Sequence, residues 1–210
     1  MKIIDQRWTW ITRTVDPLLL IERAGRTCYK SEELQTLESK KAFSKILLNS
    51  GHESVIEHAN ATVKFVTNRG VTHELVRHRL ASYSQESTRY VNYKKKGLTF
   101  IKPVWLSFEV DESNNYPYDT WYWVQFMEKC EHEYLALLNF GWKPEQAREV
   151  LPNSLKTEIV MTANLREWRH ILKLRTSRRA HPQMRELMLS CLDGFKQEIP
   201  IIFDDIVEIE

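Results

Sequence analysis

The thirteen residues from Arg77 to Arg89 read RHRLASYSQESTR and are the most informative stretch of this 210-residue chain. Ten of the thirteen are polar, whereas the flanking pairs at 75–76 and 90–91 are apolar. If the second half is extended, alternate side chains point to opposite sides, and neither side has the apolar repeat of a core strand. Such a segment lies either on the surface or along a polar pocket.

The chemistry of this stretch suits a nucleotide. Its three arginines, Arg77, Arg79 and Arg89, carry planar guanidinium groups that bind phosphate oxygens through paired hydrogen bonds. Gln85 and Glu86 add an amide and a carboxylate that can read the edge of a nucleobase. The residues alone therefore predict a nucleotide or dinucleotide phosphate site, with an exposed strand of scattered charges as the open alternative.

Composition argues against several classes of protein. The chain has 30 Lys and Arg against 28 Asp and Glu, so its net charge of +2 creates no overall field for nucleic acid or membranes. It lacks an apolar run of about 18 residues, and residues 1–16 do not have the pattern of a signal peptide. Cys28, Cys130 and Cys191 are widely spaced without a CxxC pair, which is typical of a reducing cytoplasm. We expect a cytoplasmic protein with no membrane and no nucleic-acid partner.

Local patterns predict a mixture of helices and strands. Asp16 before Pro17 has the form of a helix start, and a proline also opens the helices at 144 and 182. Further helices are expected over residues 32–49, 71–76, 118–140, 144–151, 165–174 and 182–196. Strands are expected over 61–65 and 159–161. Because the elements do not alternate as βαβ units, they predict an α+β fold.

The stretch also resembles a known motif. Its pattern RHRxxSxSQxSxR resembles that of the flavin-dependent thymidylate synthases, in which Arg-His-Arg is followed by seven residues and a serine. Here Leu80 to Glu86 are the seven residues, and Ser87 is the serine. The resemblance extends to RAGRTC at 23–28, HESVIEH at 52–58, AREVLP at 147–152, NLR at 164–166 and LR at 174–175.

The resemblance implies a reaction and an assembly. The reaction is methylation of dUMP to dTMP, with methylenetetrahydrofolate as carbon donor and with FAD, reduced by NADPH, as hydride carrier. The implied fold is a twisted antiparallel sheet flanked by helices, in a single domain over residues 1–210. The implied assembly is a homotetramer with active sites shared between subunits.

The resemblance also implies roles for individual residues. Arg175 is the implied catalytic residue, since its guanidinium would contact the uracil and favour ionisation at N3, and no cysteine nucleophile is required. The implied dUMP-binding residues are Glu74, Arg77, Gln85, Glu86, Ser87, Thr88, Arg89, Arg148 and Arg175. The implied FAD-binding residues are His52, Ser54, Arg77, His78, Arg79, Gln85, Asn164, Arg166 and His170.

Other interpretations use residues of the same kinds. His52 and His58 suggest a metal site, but their spacing does not place both imidazoles on one helical face, so we expect no metal. The basic run over 175–185 suggests a nucleic-acid patch, and the rings of WYW at 121–123 suit base stacking, helix packing or a subunit contact. A nucleic-acid-binding module and a non-catalytic flavoprotein are therefore the alternatives to an enzyme.

Overall fold

The computed structural model describes residues 1–36 and 38–207 of the chain, and these fold into helices and short strands. The strands are β1 (Lys2–Ile4), β2 (Arg7–Arg13), β3 (Asn60–Asn68), β4 (Ala81–Gln85), β5 (Thr99–Ile101) and β6 (Lys156–Asn164). The α-helices are α1 (Pro17–Tyr29), α2 (Ser39–Asn49), α3 (Arg69–Leu75), α4 (Tyr118–Asn139), α5 (Pro144–Ala147), α6 (Leu165–Arg175) and α7 (Pro182–Glu198). Single 3-10 turns span Glu32–Leu34, Glu53–His58 and Arg148–Val150.

The strands form two sheets. A four-stranded antiparallel sheet has the order β2-β3-β6-β4. A second sheet pairs β1 with β5 in parallel, with Ile3 opposite Phe100. The mixture of helices with an antiparallel sheet confirms the predicted α+β class.

The chain divides into two compact units. Over the described residues, unit 1 comprises Met1–Arg7, Phe65–Arg77 and Ser84–Ile159, and unit 2 comprises Trp8–Lys64, His78–Tyr83 and Val160–Glu210. The expectation of a single domain over residues 1–210 stays a prediction.

Helix α4 builds the core of unit 1. Its buried face, at helical spacing, consists of Met127, Cys130, Tyr134 and Leu138, which pack with Leu98, Phe100 and Leu155. Trp123 packs against this core, whereas Trp121 and Tyr122 are exposed. Neither α4 nor any other helix in the described part of the chain combines the length and the apolar character needed to cross a membrane.

The core of unit 2 is centred on Trp168 of α6. This side chain is fully buried, and its Nε1 donates a hydrogen bond to the carbonyl of Ala61 at 3.0 Å. The Phe195 ring of α7 packs on Trp168 at a centroid distance of 4.9 Å and on Phe203 at 4.8 Å. With Trp168 turned inward, α6 presents His170 on its exposed side.

Helices α1 and α6 each begin at a residue whose side chain caps the helix, and the cap of α1 is the predicted one. The Asp16 carboxylate accepts a hydrogen bond from the amide of Leu19 at 3.1 Å, and Pro17 is the first residue of α1. The Asn164 side chain caps α6 in the same way, since it accepts from the amide of Glu167 at 2.8 Å. Local side-chain chemistry therefore fixes where these helices start.

The predicted helix over 32–49 is wrong as a single element. The structure has the short turn Glu32–Leu34, and α2 begins only at Ser39. Thr36 and Ser39 each accept a hydrogen bond from the other's backbone amide, at 3.1 and 2.8 Å, and this local pairing starts a new helix. Leu37, which belongs to the predicted helix, lies outside the described residues.

Candidate active site

The predicted site residues are divided between the two units. Unit 2 contains His52, Ser54, His78, Arg79, Asn164, Arg166, His170 and Arg175. Unit 1 contains Glu74, Arg77, Gln85, Glu86, Ser87, Thr88, Arg89 and Arg148. Each unit brings some members of its set together around a cavity.

The cavity of unit 2 collects three of the predicted FAD residues. Its volume is about 660 Å³, which is in the range of small-molecule sites. Asn164, Arg166 and His170 line it. The other lining residues are Glu53, Glu57, Leu80, Glu167, Arg169 and Lys173.

The turn from β6 into α6 explains why these three side chains meet. Asn164 ends β6 and caps α6, so its position is fixed by the helix that follows. Arg166, His170 and Lys173 are spaced by four and three residues, which places them on one face of the helix. The opposite face is buried around Trp168. The cap and one face of α6 therefore provide an amide, an imidazole and two cations to the cavity.

Carboxylates balance the cations of this cavity. The Arg166 guanidinium lies 2.6 Å from Glu57 Oε1 and 3.6 Å from Glu53 Oε2. Buried Arg169 donates two hydrogen bonds to the Asp205 carboxylate, at 2.6 and 2.7 Å. A phosphate that binds Arg166 must therefore compete with Glu57, whereas Arg169 is committed to a bidentate pair.

His78 and Arg175 are in direct contact. Arg175 Nε donates a hydrogen bond to His78 Nε2 at 3.0 Å, and His78 Nδ1 lies 3.7 Å from Glu167 Oε1. The hydroxyl of Tyr83 donates to the His78 carbonyl at 2.8 Å. Burial, together with the charge of Arg175 and the neighbouring His170, lowers the pKa of His78 to about 4. His78 is therefore neutral at neutral pH and able to accept a hydrogen bond.

The cavity of unit 1 collects two predicted dUMP residues. Thr88 and Arg148 line a space of about 330 Å³ together with Arg69 and His73 of α3. The remaining lining residues are Glu149, Leu151, Pro152 and Asn153. Sequence reasoning missed Arg69 and His73. Their spacing of four residues on a short helix that leads into Arg77 was the signal that could have found them.

Gln85 and Glu86, neighbours in the RHRLASYSQESTR stretch, both form hydrogen bonds with other side chains of unit 1. Gln85 Nε2 donates to the hydroxyls of Thr72 and Thr157, at 2.9 and 3.2 Å, which fixes the orientation of its amide. The Glu86 carboxylate accepts from the hydroxyl of Tyr93 at 2.9 Å. The predicted contacts of Gln85 and Glu86 with a nucleotide stay predictions.

Lys156 completes the environment of Glu86. Its Nζ lies 2.9 Å from Glu86 Oε2 and 2.6 Å from Glu158 Oε1. Burial alone would lower the pKa of Lys156, but the hydrogen bonds to Glu158 and Glu86 outweigh it and raise that pKa above its ordinary value. The pair joins the end of β4 to β6, so it fixes the residue directly before Ser87.

Most of the other predicted residues are exposed. Arg89 pairs with Glu145 at 2.9 Å, and the Ser87 hydroxyl accepts from the Arg89 amide at 3.2 Å. His52 Nδ1 lies 2.9 Å from the hydroxyl of Tyr29. Arg77, Arg79, Arg148 and Ser54 are exposed, and Glu74 is half-buried. Within residues 1–36 and 38–207, no group of three His, Cys, Asp or Glu side chains is arranged to hold a metal ion.

Known proteins share both the sequence and the fold. Residues 9–201 match the family model described as thymidylate synthase complementing protein. The flavin-dependent thymidylate synthase of Geobacter sulfurreducens is 35% identical over 202 residues, which cover 93% of this chain and 84% of that protein. The chain therefore belongs to the flavin-dependent thymidylate synthase family.

Solved structures agree with the fold. PolB from Streptomyces cacaoi, a UMP/dUMP methylase bound with 5-Br dUMP, matches with a TM-score of 0.81 at 24% identity, over 97% of this chain and 96% of PolB. ThyX from Helicobacter pylori, complexed with FAD and dUMP, matches with a TM-score of 0.77 at 25% identity, over 96% of this chain and 100% of that one.

Proposed function

We propose that the chain methylates dUMP to dTMP with FAD as its cofactor. Membership of the family supports this proposal, as does the similarity to ThyX, which was solved with FAD and dUMP. The strongest structural support is the arrangement on α6. Arg166 and His170 of this helix line a large cavity, and Arg175 at its end donates a hydrogen bond to neutral His78.

The cavity of unit 2 suits FAD in its chemistry. When bound, FAD supplies the hydride that completes the methyl group. Arg166 offers a guanidinium for a phosphate, while Asn164 and His170 offer polar atoms to the edge of a ring. We propose that the FAD residues named from the resemblance, other than His78, bind FAD, with NADPH as reductant and methylenetetrahydrofolate as carbon donor.

The cavity of unit 1 suits the phosphate of dUMP. Thr88 and Arg148 already line it, and Arg69 adds a second arginine. Ser87 and Arg89 flank Thr88 in the sequence. We propose that Ser87, Thr88, Arg89 and Arg148 bind the phosphate, and that Glu74, Arg77, Gln85 and Glu86 belong to the same nucleotide site.

Arg175 is the proposed catalytic residue. Its fixed positive charge would stabilise the negative charge that develops on the uracil when N3 ionises, and this makes C5 more nucleophilic. A thiol nucleophile is not part of this chemistry. Cys130 and Cys191 are buried, and burial raises the pKa of both thiols, which keeps them protonated at neutral pH.

The assembly is part of the proposal. We propose a homotetramer whose active sites are shared between subunits, as the family resemblance implies. Exposed Trp121 and Tyr122 give α4 an aromatic surface of the kind that subunit contacts use.

The function can be tested with the purified chain reconstituted with FAD. We expect dTMP to form from dUMP only when methylenetetrahydrofolate and NADPH are both present. Arg175→Ala should lower turnover by about 10²-fold or more while FAD binding survives, because one preorganised charge is lost. Arg178→Ala, which changes an exposed arginine nearby, is the matched control.

Two results would contradict the proposal. One is a chain that binds no FAD and forms no dTMP. The other is tight, steeply salt-dependent binding to RNA or DNA without dTMP formation, which would favour a nucleic-acid-binding module.

A further inference from the structure

We propose that His78 is a positioning residue that acts through Arg175, holding its guanidinium with a hydrogen bond to Nε2. This inference rests on the proposed role of Arg175 at the uracil. It differs from the role that the resemblance implies for His78, which is a direct contact with FAD.

The hydrogen bond to His78 restricts the orientation of the Arg175 guanidinium. Arg175 is the last residue of α6, so the following residues do not continue the helix around it. A long arginine side chain loses considerable rotamer entropy when it is held in one orientation. The bond from Nε to His78 Nε2, at 3.0 Å, fixes the plane of the guanidinium close to its stem. It uses only one of the five N–H groups.

His78 is itself held on several sides. The Tyr83 hydroxyl anchors its carbonyl at 2.8 Å, and the side chain is 5% exposed. Since Nε2 accepts from Arg175, the ring proton must be on Nδ1, which faces the Glu167 carboxylate at 3.7 Å. The charged and titratable groups around the ring are Arg175, Glu167, His170 and Tyr83. The lowered pKa of His78 favours the neutral form that this geometry requires.

Both ring nitrogens of His78 therefore face protein groups. Nε2 is taken by Arg175, and Nδ1 is directed to Glu167. Loss of the imidazole leaves Arg175 on its stem without this acceptor. Small errors in the position of a catalytic group reduce rates strongly, so Arg175 should then bind and activate the uracil less well.

A double-mutant cycle on dUMP binding tests the inference. The dissociation constant of dUMP is measured by calorimetry at saturating FAD for the wild type, His78→Leu, Arg175→Ala and the double variant. We expect His78→Leu to weaken dUMP binding about tenfold, the cost of one charge-assisted hydrogen bond. In the Arg175→Ala background the same change should have less than about a twofold effect, because the partner is gone.

A conservative pair of variants guards against misfolding. His78→Gln can place its amide oxygen near the position of Nε2, whereas the shorter Asn of His78→Asn cannot reach it. We expect the Gln variant to keep most of the dUMP affinity and the Asn variant to lose it. His132→Leu, which changes an exposed histidine of α4, should leave both dUMP and FAD affinities unchanged.

The outcomes separate this inference from the proposed function. An equal loss of dUMP affinity in both backgrounds would overturn the positioning role. So would lost FAD binding in His78→Leu and His78→Asn with dUMP binding intact, since that result favours a direct FAD contact. If Arg175→Ala binds dUMP like the wild type, the proposed role of Arg175 fails first.

Discussion

Burial of a neutral histidine ties the stability of the chain to pH. The pKa of His78 falls from 6.5 to about 4 in the folded state, because burial and the charge of Arg175 disfavour the imidazolium. Between these two values the unfolded chain binds more protons than the folded chain. The contribution to stability is therefore fully present above pH 6.5, declines as the pH falls and is lost below about pH 4.

Urea unfolding at pH 7 and pH 5 measures this effect. We expect the free energy of unfolding to fall more for the wild type than for His78→Gln, which has no group that titrates at this position. Equal losses in the two proteins would mean that His78 titrates normally in the folded chain.

The sequence indicated which residue types belong to the candidate site, but it did not indicate which side chains bind each other. The family resemblance named Arg175 and His78 separately, but their hydrogen bond joins positions that are 97 residues apart. Glu86 is similar, because its partner Lys156 comes from a distant strand. Sequence patterns describe local chemistry, whereas such pairings depend on how the sheet brings strands together.

At the level of elements, the ion pair of Lys156 with Glu86, which joins the end of β4 to β6, can be tested by mutation. Lys156 and Glu86 are 19% and 17% exposed, so Lys156→Met leaves a poorly solvated carboxylate with Tyr93 as its remaining close partner. We expect a loss of about 1–3 kcal/mol in the free energy of unfolding and a raised KM for dUMP. Lys102→Met, which breaks the exposed pair with Asp5, should change stability by about 0.5 kcal/mol or less.

Adding Glu86→Leu to Lys156→Met provides a second check. Removing both charges should recover much of the lost stability, since the poorly solvated carboxylate of Glu86 is then gone and that of Glu158 is 35% exposed to solvent. If Lys156→Met is as harmless as Lys102→Met, the pair does not stabilise the segment before Ser87.

Helix α7 packs closely on strand β2. A Cβ added at Gly194 would clash with the Trp8 ring. Gly194→Ala gains about 1 kcal/mol in helix propensity, but overpacking costs about 1–3 kcal/mol, so we expect net destabilisation. Thermal unfolding measures it, with Asp193→Ala on the exposed side of the same helix as the control. A Tm above that of the wild type would contradict this packing.

Elements with local signals were predicted, and those without them were missed. The start of α1 follows from Asp16 and Pro17, and the start of α7 from Pro182. Strands β1 and β5 have three residues each and are held by pairing between distant segments, so no periodic pattern marks them. Strand β2 was not predicted, because the alternation of Trp8 and Trp10 with polar residues is too short to indicate a strand.

For the whole molecule, the proposed assembly makes a distinctive prediction. Arg148 and Arg175 are both proposed to bind one nucleotide. If subunits share active sites, inactive Arg148→Ala and Arg175→Ala chains should regain part of the wild-type activity when unfolded, mixed and refolded together. Each variant refolded alone is the control.

Sedimentation of the wild type should give four times the chain mass of 25.0 kDa. The mass of a single chain, or mixtures as inactive as the separate variants, would argue against shared sites.

The oxidation state of the folate after one turnover tests the proposed reaction most directly. A methylene carbon must gain two electrons to become a methyl group, and these come either from the flavin or from the folate itself. If the flavin supplies them, the folate leaves as tetrahydrofolate. We predict that tetrahydrofolate and dTMP appear in equal amounts without dihydrofolate. Dihydrofolate formed in equal amount to dTMP would contradict a flavin-dependent synthase.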